Sequence, residues 1–232
     1  MPAPSIVILT GAGISAESGL GTFRDEGGLW AQHRIEDVAT PEGFSRNPQL
    51  VTDFYNARRA QAAKATPNAA HRAIALLQTR HGGAITLVTQ NVDDLHEKAG
   101  SQDVIHMHGA LNSALCAHCE HRWPASLKMS VGQDCPKCNA PAARPDIVWF
   151  GEIPYHMERI EKALARADIF VAIGTSGNVY PAAGFVQMAR HVGAETLEMN
   201  LEPGENINLF DDARPGKASE TVPIWVEEML AG

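Results

Sequence analysis

Short apolar runs alternate along this chain with segments of helical periodicity. The runs at 5–9, 84–89, 146–150, 168–173 and 195–199 are rich in Ile, Val, Leu and Phe and read as strands. Between them, 69–79, 157–167 and 182–192 repeat their apolar positions with the spacing of one helix face. Continuous apolar runs, rather than alternating ones, belong to strands covered on both faces. The pattern therefore predicts an α/β fold, a Rossmann-like parallel sheet with helices on both faces.

Two segments break the alternation. Residues 22–66 are polar, punctuated by Gly and Pro and partly helical, which predicts a helical or loop insertion. Residues 114–144 carry Pro124, Pro136 and Pro141 and few large aliphatics, too little to form a core unaided. The chain is thus expected to be one catalytic-size unit, 1–232, with a large lobe of 1–113 and 145–232 and a small inserted lobe of about 114–144.

Composition narrows the function. An apolar content of 44% and a charged content of 20% suit a globular protein with a sizeable core. The formal net charge of −8 argues against nucleic acid, which needs clustered Lys and Arg. No apolar run approaches the roughly 20 residues that span a bilayer, and the N-terminus has no signal-peptide pattern. The expected location is cytoplasmic, with no membrane partner.

All four cysteines fall in the small insertion. Cys116-x2-Cys119, fifteen residues, then Cys135-x2-Cys138 is the two-knuckle spacing of a zinc ribbon. Four thiolates close a tetrahedron and leave no open position, so one structural zinc is expected. Two redox pairs or four free thiols are the alternatives; His118 and His121 are near enough to act as substitute ligands.

Directly after the first strand, Gly11-Ala12-Gly13-Ile14-Ser15-Ala16 fits the dinucleotide pattern GxGxx[G/A] ahead of a helix start. Glycine permits close backbone approach to a pyrophosphate, and a helix N-terminus offers N–H groups to the anion. A tight turn without a ligand is the alternative. The acidic residue expected about 20 positions later on a second strand is replaced by the polar insertion, which disfavours hydride transfer.

Further stretches complete a resemblance. Glu17-Ser18-Gly19 and Thr22-Phe23-Arg24 extend the first motif. Thr89-Gln90-Asn91-Val92-Asp93 is followed by Leu95-His96 and Ala99-Gly100, then by His108-Gly109 and the cysteine pairs. Residues 145–152, Gly174-Thr175-Ser176 and Asn200-Leu201-Glu202 follow in order. Together they resemble the sirtuins, NAD-dependent protein deacylases, over nearly the whole chain. The resemblance implies that NAD is consumed as a co-substrate, yielding nicotinamide, acyl-ADP-ribose and free lysine. It puts Gly11, Ala12, Gly13, Glu17, Phe23 and Arg24 around the pyrophosphate and nicotinamide ribose, and Gln90, Asn91 and Asp93 around nicotinamide. Gly174, Thr175, Ser176, Asn200, Leu201, Glu202 and Ala218 would face the adenosine half. Val148, Trp149, Phe150 and Gly151 would lie along an acyl-lysine peptide, pairing as an added strand.

His108 would be the general base for a ribose hydroxyl, since histidine titrates in the right range. His106, two residues earlier on an expected strand, would share its face, and only the resemblance separates them.

In Phe54-Tyr55-Asn56-Ala57-Arg58-Arg59, Tyr55 and Arg58 lie three apart on an expected helix and share a face. A surface Tyr–Arg pair is the plain reading, and Arg59 is expected at the surface. The resemblance to class III sirtuins, bacterial type, makes the pair a reader of succinyl- or malonyl-lysine. A guanidinium can hold a carboxylate bidentately and the phenol adds a donor.

Gly21, where the family more often has Pro or Arg, and Asp94, which adds negative charge beside the expected nicotinamide pocket, depart from the pattern without removing a required group. Protein ADP-ribosyl transfer, NAD hydrolysis and a non-catalytic NAD or ADP-ribose sensor are the competing readings. The oligomeric state is open, and a monomer is compatible with every feature above.

Overall fold

A computed structural model describes residues 3–21 and 32–231 of the chain. Six strands form one parallel sheet in the order β3-β2-β1-β7-β8-β9: β1 Ile6–Thr10, β2 Ile85–Thr89, β3 Ile105–His106, β7 Ile169–Ile173, β8 Glu195–Asn200 and β9 Asp212–Pro215. The central strand β1 is buried at all five positions, as a strand covered on both faces must be. Ile6 and Ile8 pack with α5 (Ala69–Arg80) and α9 (Ala218–Ala231) through Ile74, Leu77, Val222 and Trp225. Val7 and Leu9 point the other way, against Ile160 and Leu164 of α7 (Met157–Leu164) and Phe185 and Val186 of α8 (Phe185–His191).

The expected strands at 5–9, 84–89, 168–173 and 195–199 all lie in this sheet. The run at 146–150 does not. Its strand, β6, spans Ala143–Ile147 and belongs to a second, three-stranded sheet, where it pairs antiparallel with β4 (Gly109–Cys116). The apolar residues past Ile147 serve another purpose: Trp149 is buried with Phe54, Tyr55 and Val92 in a third core cluster. Strand β5 (Arg122–Pro124) completes the small sheet on the other edge of β4. Strands β4 and β6 run across both ends of the cysteine-bearing segment, so the small sheet grows continuously out of the body of the molecule.

Residues 22–31 of the expected insertion, with Thr22, Phe23 and Arg24, lie outside the described residues. The remainder is helical: α1 (Gly13–Ala16) precedes it, and α2 (Ile35–Val38), α3 (Pro41–Arg46) and α4 (Pro48–Lys64) form it. Each of the last two starts with a side-chain cap followed by proline, Thr40 accepting from Gly43 N and Asn47 from Leu50 N. This is the arrangement in which a missing proline N–H costs nothing. Among the described residues no helix is long and apolar enough to cross a membrane.

Behind β1 two histidines are wholly enclosed. His71 of α5 and His96 of α6 (Leu95–Lys98) have ring centroids 4.9 Å apart, and His96 Nε2 lies 3.0 Å from Thr10 Oγ1. Burial pushes the His71 pKa down to about 4, and that of His96 also falls well below its usual range. An unfolded chain takes up protons on these rings near pH 6.5, whereas the folded chain resists until far lower pH. Their contribution to stability is therefore present above about pH 6.5 and lost as the pH falls towards about 4, at up to about 1.4 kcal/mol per pH unit for each ring. Thermal melts between pH 7.5 and 4.5 should show this decline, and replacing His96 by Gln should flatten it.

Candidate active site

The strand order reverses direction between β1 and β7, and in an open parallel sheet a ligand crevice forms at that switch point. Here the loops leaving the two strands press together. Gly13 N donates to Gly174 O at 2.8 Å and Gly11 N to Ile173 O at 3.0 Å. A Cβ on Gly13 would sit 2.7 Å from Gly174 Cα, and one on Gly174, at φ +62°, would sit 2.4 Å from Ile14 N. The glycines are thus demanded first by loop-on-loop packing. The expected helix after them is a single turn, Gly13–Ala16.

A cavity of about 1040 Å³ opens at this point, at the upper end of the range for small-molecule sites. It gathers residues from far along the chain: the glycine loop, Gln90 to Asp93, His108, residues 147–152, 174–176, 199–202 and Ala218. Of the expected site residues in the described segments, all line this cavity except the four cysteines. Phe23 and Arg24 lie outside the described residues.

Asn91 is 7% exposed; its side-chain N–H donates to Gly11 O at 3.0 Å and Ser15 Oγ at 3.1 Å. Ser15 Oγ donates in turn to Asp93 Oδ2 at 3.2 Å. Ser15 was not singled out from sequence, although it sits inside the glycine motif. Its small buried hydroxyl joins the loop after β1 to the loop after β2. Burial pushes the Asp93 carboxyl up, against the Leu95 N–H and Ser15 hydroxyl, which favour the charged form. Gln90 Nε2 donates to Thr175 Oγ1 at 2.8 Å, and Asn200 Nδ2 to Thr175 O at 2.7 Å, tying the ends of β2, β7 and β8 together. Glu17 accepts from Ser219 N and Oγ at 3.0 and 2.8 Å, beside Ala218.

The two histidines part company. His106 closes β3 with Nδ1 3.0 Å from Asn91 O and Nε2 2.7 Å from Glu97 Oε1. Burial disfavours its charge, but the Glu97 carboxylate outweighs it and the pKa is raised. His108 follows in a turn instead of a strand and lines the cavity. Its Nδ1 lies 3.2 Å from Gln90 O. A carbonyl only accepts, so Nδ1 carries the proton and Nε2 keeps its lone pair. Burial lowers the His108 pKa, more than the Gln90 carbonyl restores. At neutral pH the ring is a free base.

Helix α4 carries Tyr55 and Arg58 into the same cavity. The plain reading of a solvated pair does not hold for Tyr55, which is 1% exposed. Burial pushes its pKa up to about 12, so it stays a neutral phenol. Arg58 Cζ lies 5.9 Å from the Tyr55 ring centroid. Burial lowers its pKa while Tyr55 and Asp93 oppose that shift, and a guanidinium remains charged. Arg59 is not at the surface as expected. It is 4% exposed and donates to Leu111 O at 2.6 Å and Asn56 Oδ1 at 2.7 Å, anchoring α4 to β4. Nor does Asp94 load the cavity with charge, since it pairs with Lys98 at 2.8 Å.

The backbone of residues 148–151 lines the cavity without being a strand. Val148 N donates to His108 O at 3.0 Å and Phe150 N to Ala39 O at 2.9 Å. The expectation of a regular strand here is corrected by these contacts, which bend the segment around Trp149.

At the far end of the small sheet the Sγ atoms of Cys116, Cys119, Cys135 and Cys138 all lie within 4.8 Å of one another. Cys116 and Cys138 are 3.7 Å apart and Cys119 and Cys135 3.8 Å. A disulfide would need about 2.0 Å. Four sulfurs each about 2.3 Å from a central ion make a tetrahedron with edges of about 3.8 Å. The four cysteines are positioned to hold one zinc ion, and the donor set is closed.

The match to known proteins decides the family. Residues 11–181 match the Sir2 family model. This chain belongs to the Sir2 family. It is 57% identical over 230 residues to an NAD-dependent protein deacylase of Caulobacter vibrioides, covering 97% of each chain. A Sir2 homologue solved as its NAD complex superposes with a TM-score of 0.89 at 38% identity, over 97% of this chain and 88% of that one. A Sir2 protein bound to acetylated peptide gives a TM-score of 0.81 at 27% identity, over 96% and 92%. The six-stranded parallel sheet with a cysteine-bearing small sheet is the Sir2 architecture in this chain.

Because the small sheet has so little core of its own, the ion should hold it together. One zinc per chain is expected by elemental analysis. Its removal by a strong chelator should release four titratable thiols and lower the melting temperature. Replacing Cys135 with Ser should do the same without chelator.

Proposed function

We propose that this chain is an NAD-dependent protein lysine deacylase that acts on acetyl-lysine and on lysines carrying succinyl or malonyl groups. The observation that carries the reading is His108, a neutral base in the same cavity as Asn91, Asp93 and the glycine loops. A pure binder of NAD or ADP-ribose has no use for a base held in one tautomer. NAD supplies the acyl-accepting ribose and, in nicotinamide, a leaving group that departs neutral.

The residues then divide the work. The loop of Gly11, Ala12 and Gly13, with Glu17, takes the pyrophosphate side, joined by Phe23 and Arg24. Gly174, Thr175, Ser176, Asn200, Leu201, Glu202 and Ala218 take the adenosine side. Gln90, Asn91 and Asp93 hold the nicotinamide side, fixed by the contacts of Ser15 and Thr175. His108 Nε2 accepts the proton of a ribose hydroxyl, and the Gln90 carbonyl steadies the imidazolium that results. Val148, Trp149, Phe150 and Gly151 border the acyl-lysine peptide. The large lobe of 1–113 and 145–232 performs the chemistry, and the lobe of about 114–144 braces it through zinc.

Arg58 and Tyr55 make the cavity suited to an acyl group ending in a carboxylate: a charged fork and a neutral phenol donor, both in a site that screens them little. Acetyl-lysine offers them nothing to bind.

Two outcomes test this. Mass spectrometry of the protein with NAD and an acyl-lysine peptide should find free lysine peptide and acyl-ADP-ribose. His108→Ala should retain NAD binding and lose turnover at least about 10²-fold. The pH profile of the parent should be flat above about pH 6.5 and fall in acid, since the base is lost only when His108, with its lowered pKa, takes up a proton. NAD cleavage without acyl transfer would instead favour ADP-ribosyl transfer or hydrolysis. Second, Arg58→Met should lower the ratio of desuccinylation to deacetylation by roughly 5- to 150-fold, the value of about 1–3 kcal/mol of charge-assisted contact. An unchanged ratio would remove the carboxylate reading.

A further inference from the structure

An ion pair outside the catalytic groups controls the turn after β6. Arg144 meets Glu152 as a fork, Nη1 to Oε1 at 2.7 Å and Nη2 to Oε2 at 2.9 Å. Arg144 Nη2 also donates to Ile147 O at 2.8 Å, and Trp149 N donates to Glu152 Oε2 at 2.8 Å. The pair therefore pins both ends of the turn. The Arg144 guanidinium also lies over the Trp149 ring, 3.7 Å from its centroid, while Phe44 packs against the same indole at 5.2 Å. The indole is held in place, and its Nε1–H donates to Tyr55 Oη at 3.1 Å.

That last bond has a direction. An indole N–H can only donate, so the Tyr55 oxygen accepts from it and the phenol proton must be given elsewhere. Tyr55 lines the cavity. We propose that Arg144 is a positioning residue for recognition of acidic acyl groups: stacked on Trp149 and locked by Glu152, it keeps the indole N–H on Tyr55 and so turns the Tyr55 hydroxyl proton towards the substrate carboxylate. This rests on the reading of Tyr55 and Arg58 given above. Because Glu152 already balances the charge of Arg144, its part is geometric. A lysine retains the charge but neither the fork nor the planar stack, so it should not substitute.

The test uses the full chain, with wild type, Arg144→Lys, Arg144→Met and Arg58→Met assayed on succinyl- and acetyl-lysine peptides of one sequence. In both Arg144 variants the KM for succinyl peptide should rise about tenfold, with kcat/KM for acetyl peptide within about threefold and KM for NAD unchanged. Equal losses on both peptides, no change on either, or retention of succinyl recognition by Arg144→Lys would overturn the proposal. If Arg58→Met keeps the wild-type ratio of succinyl to acetyl turnover, the carboxylate reading fails, and that result is separate from the behaviour of Arg144. An independent readout is the indole N–H of Trp149 in a ¹H–¹⁵N spectrum, assigned by its loss in Trp149→Phe. Its exchange with solvent should quicken in Arg144→Lys, and an unchanged rate would sink the proposal even if turnover is too low to measure.

Discussion

The contact between the loops leaving β1 and β7 is the constraint on which the rest of the site depends. Two backbones meet there with no room for a side chain: Gly13 N bonds Gly174 O at 2.8 Å, and a Cβ on either glycine would enter the other loop. Adjacent parallel strands whose connections lead to opposite ends of the sheet must diverge beyond their carboxyl ends. With the strand ends locked together, the divergence becomes a cavity of fixed shape. Asn91 reaches across to Gly11 O and Ser15, and Gln90 to Thr175. Each of these bonds uses a loop that the glycine contact has already placed. The site is therefore built on strand ends, and little of it depends on a long flexible loop among the described residues.

A second arrangement is joined to the first through the turn after β6. The small sheet, poor in apolar residues, gathers four cysteines positioned for one zinc ion at one end and enters the body of the molecule through β4 and β6 at the other. Where β6 ends, Trp149 drops into the core beside Tyr55. Buried Arg59, bonded to Leu111 O of β4, fastens α4 to the same place. A helix from one insertion and a turn from another thus share a core, and the Tyr55–Arg58 face is held against the cavity. Rigid support of this kind is what separates a side chain that is present from one that is held in position.

How much of this was legible varied with the kind of signal. Four sheet strands and the helix α5 follow from apolar periodicity, because burial on both faces leaves an unbroken run and a single buried face leaves a 3.6-residue rhythm. The cysteine spacing announced a tetrahedral donor set because two CxxC turns can aim at one point. The run at 146–150 does not extend the parallel sheet: its first two residues end β6 of the small sheet, and Trp149 prolongs the apolar run past Ile147 to pack with Phe54 and Tyr55 of α4, a reason invisible in one dimension. Arg59 was misread in the same way: a charged residue beside Arg58 looks solvated until a carbonyl from β4, 52 positions away, is brought to its Nε.

By itself the amino-acid sequence determined the parallel α/β class, the closed zinc-ligand set, the glycine-rich turn and the list of polar residues that meet in the cavity. These are local matters, set by residue type and spacing. Beyond the family resemblance, only the tertiary structure sets His106 and His108 apart. Both have a carbonyl at Nδ1, but Glu97 takes the other nitrogen of His106, whereas His108 lines the cavity. It alone turned Tyr55 from a helix-surface residue into a buried phenol whose oxygen is occupied by the Trp149 N–H. Those decisions lie in contacts between groups 9 to 94 positions apart, and a hydrogen-bond partner at that separation exists only once the chain has folded.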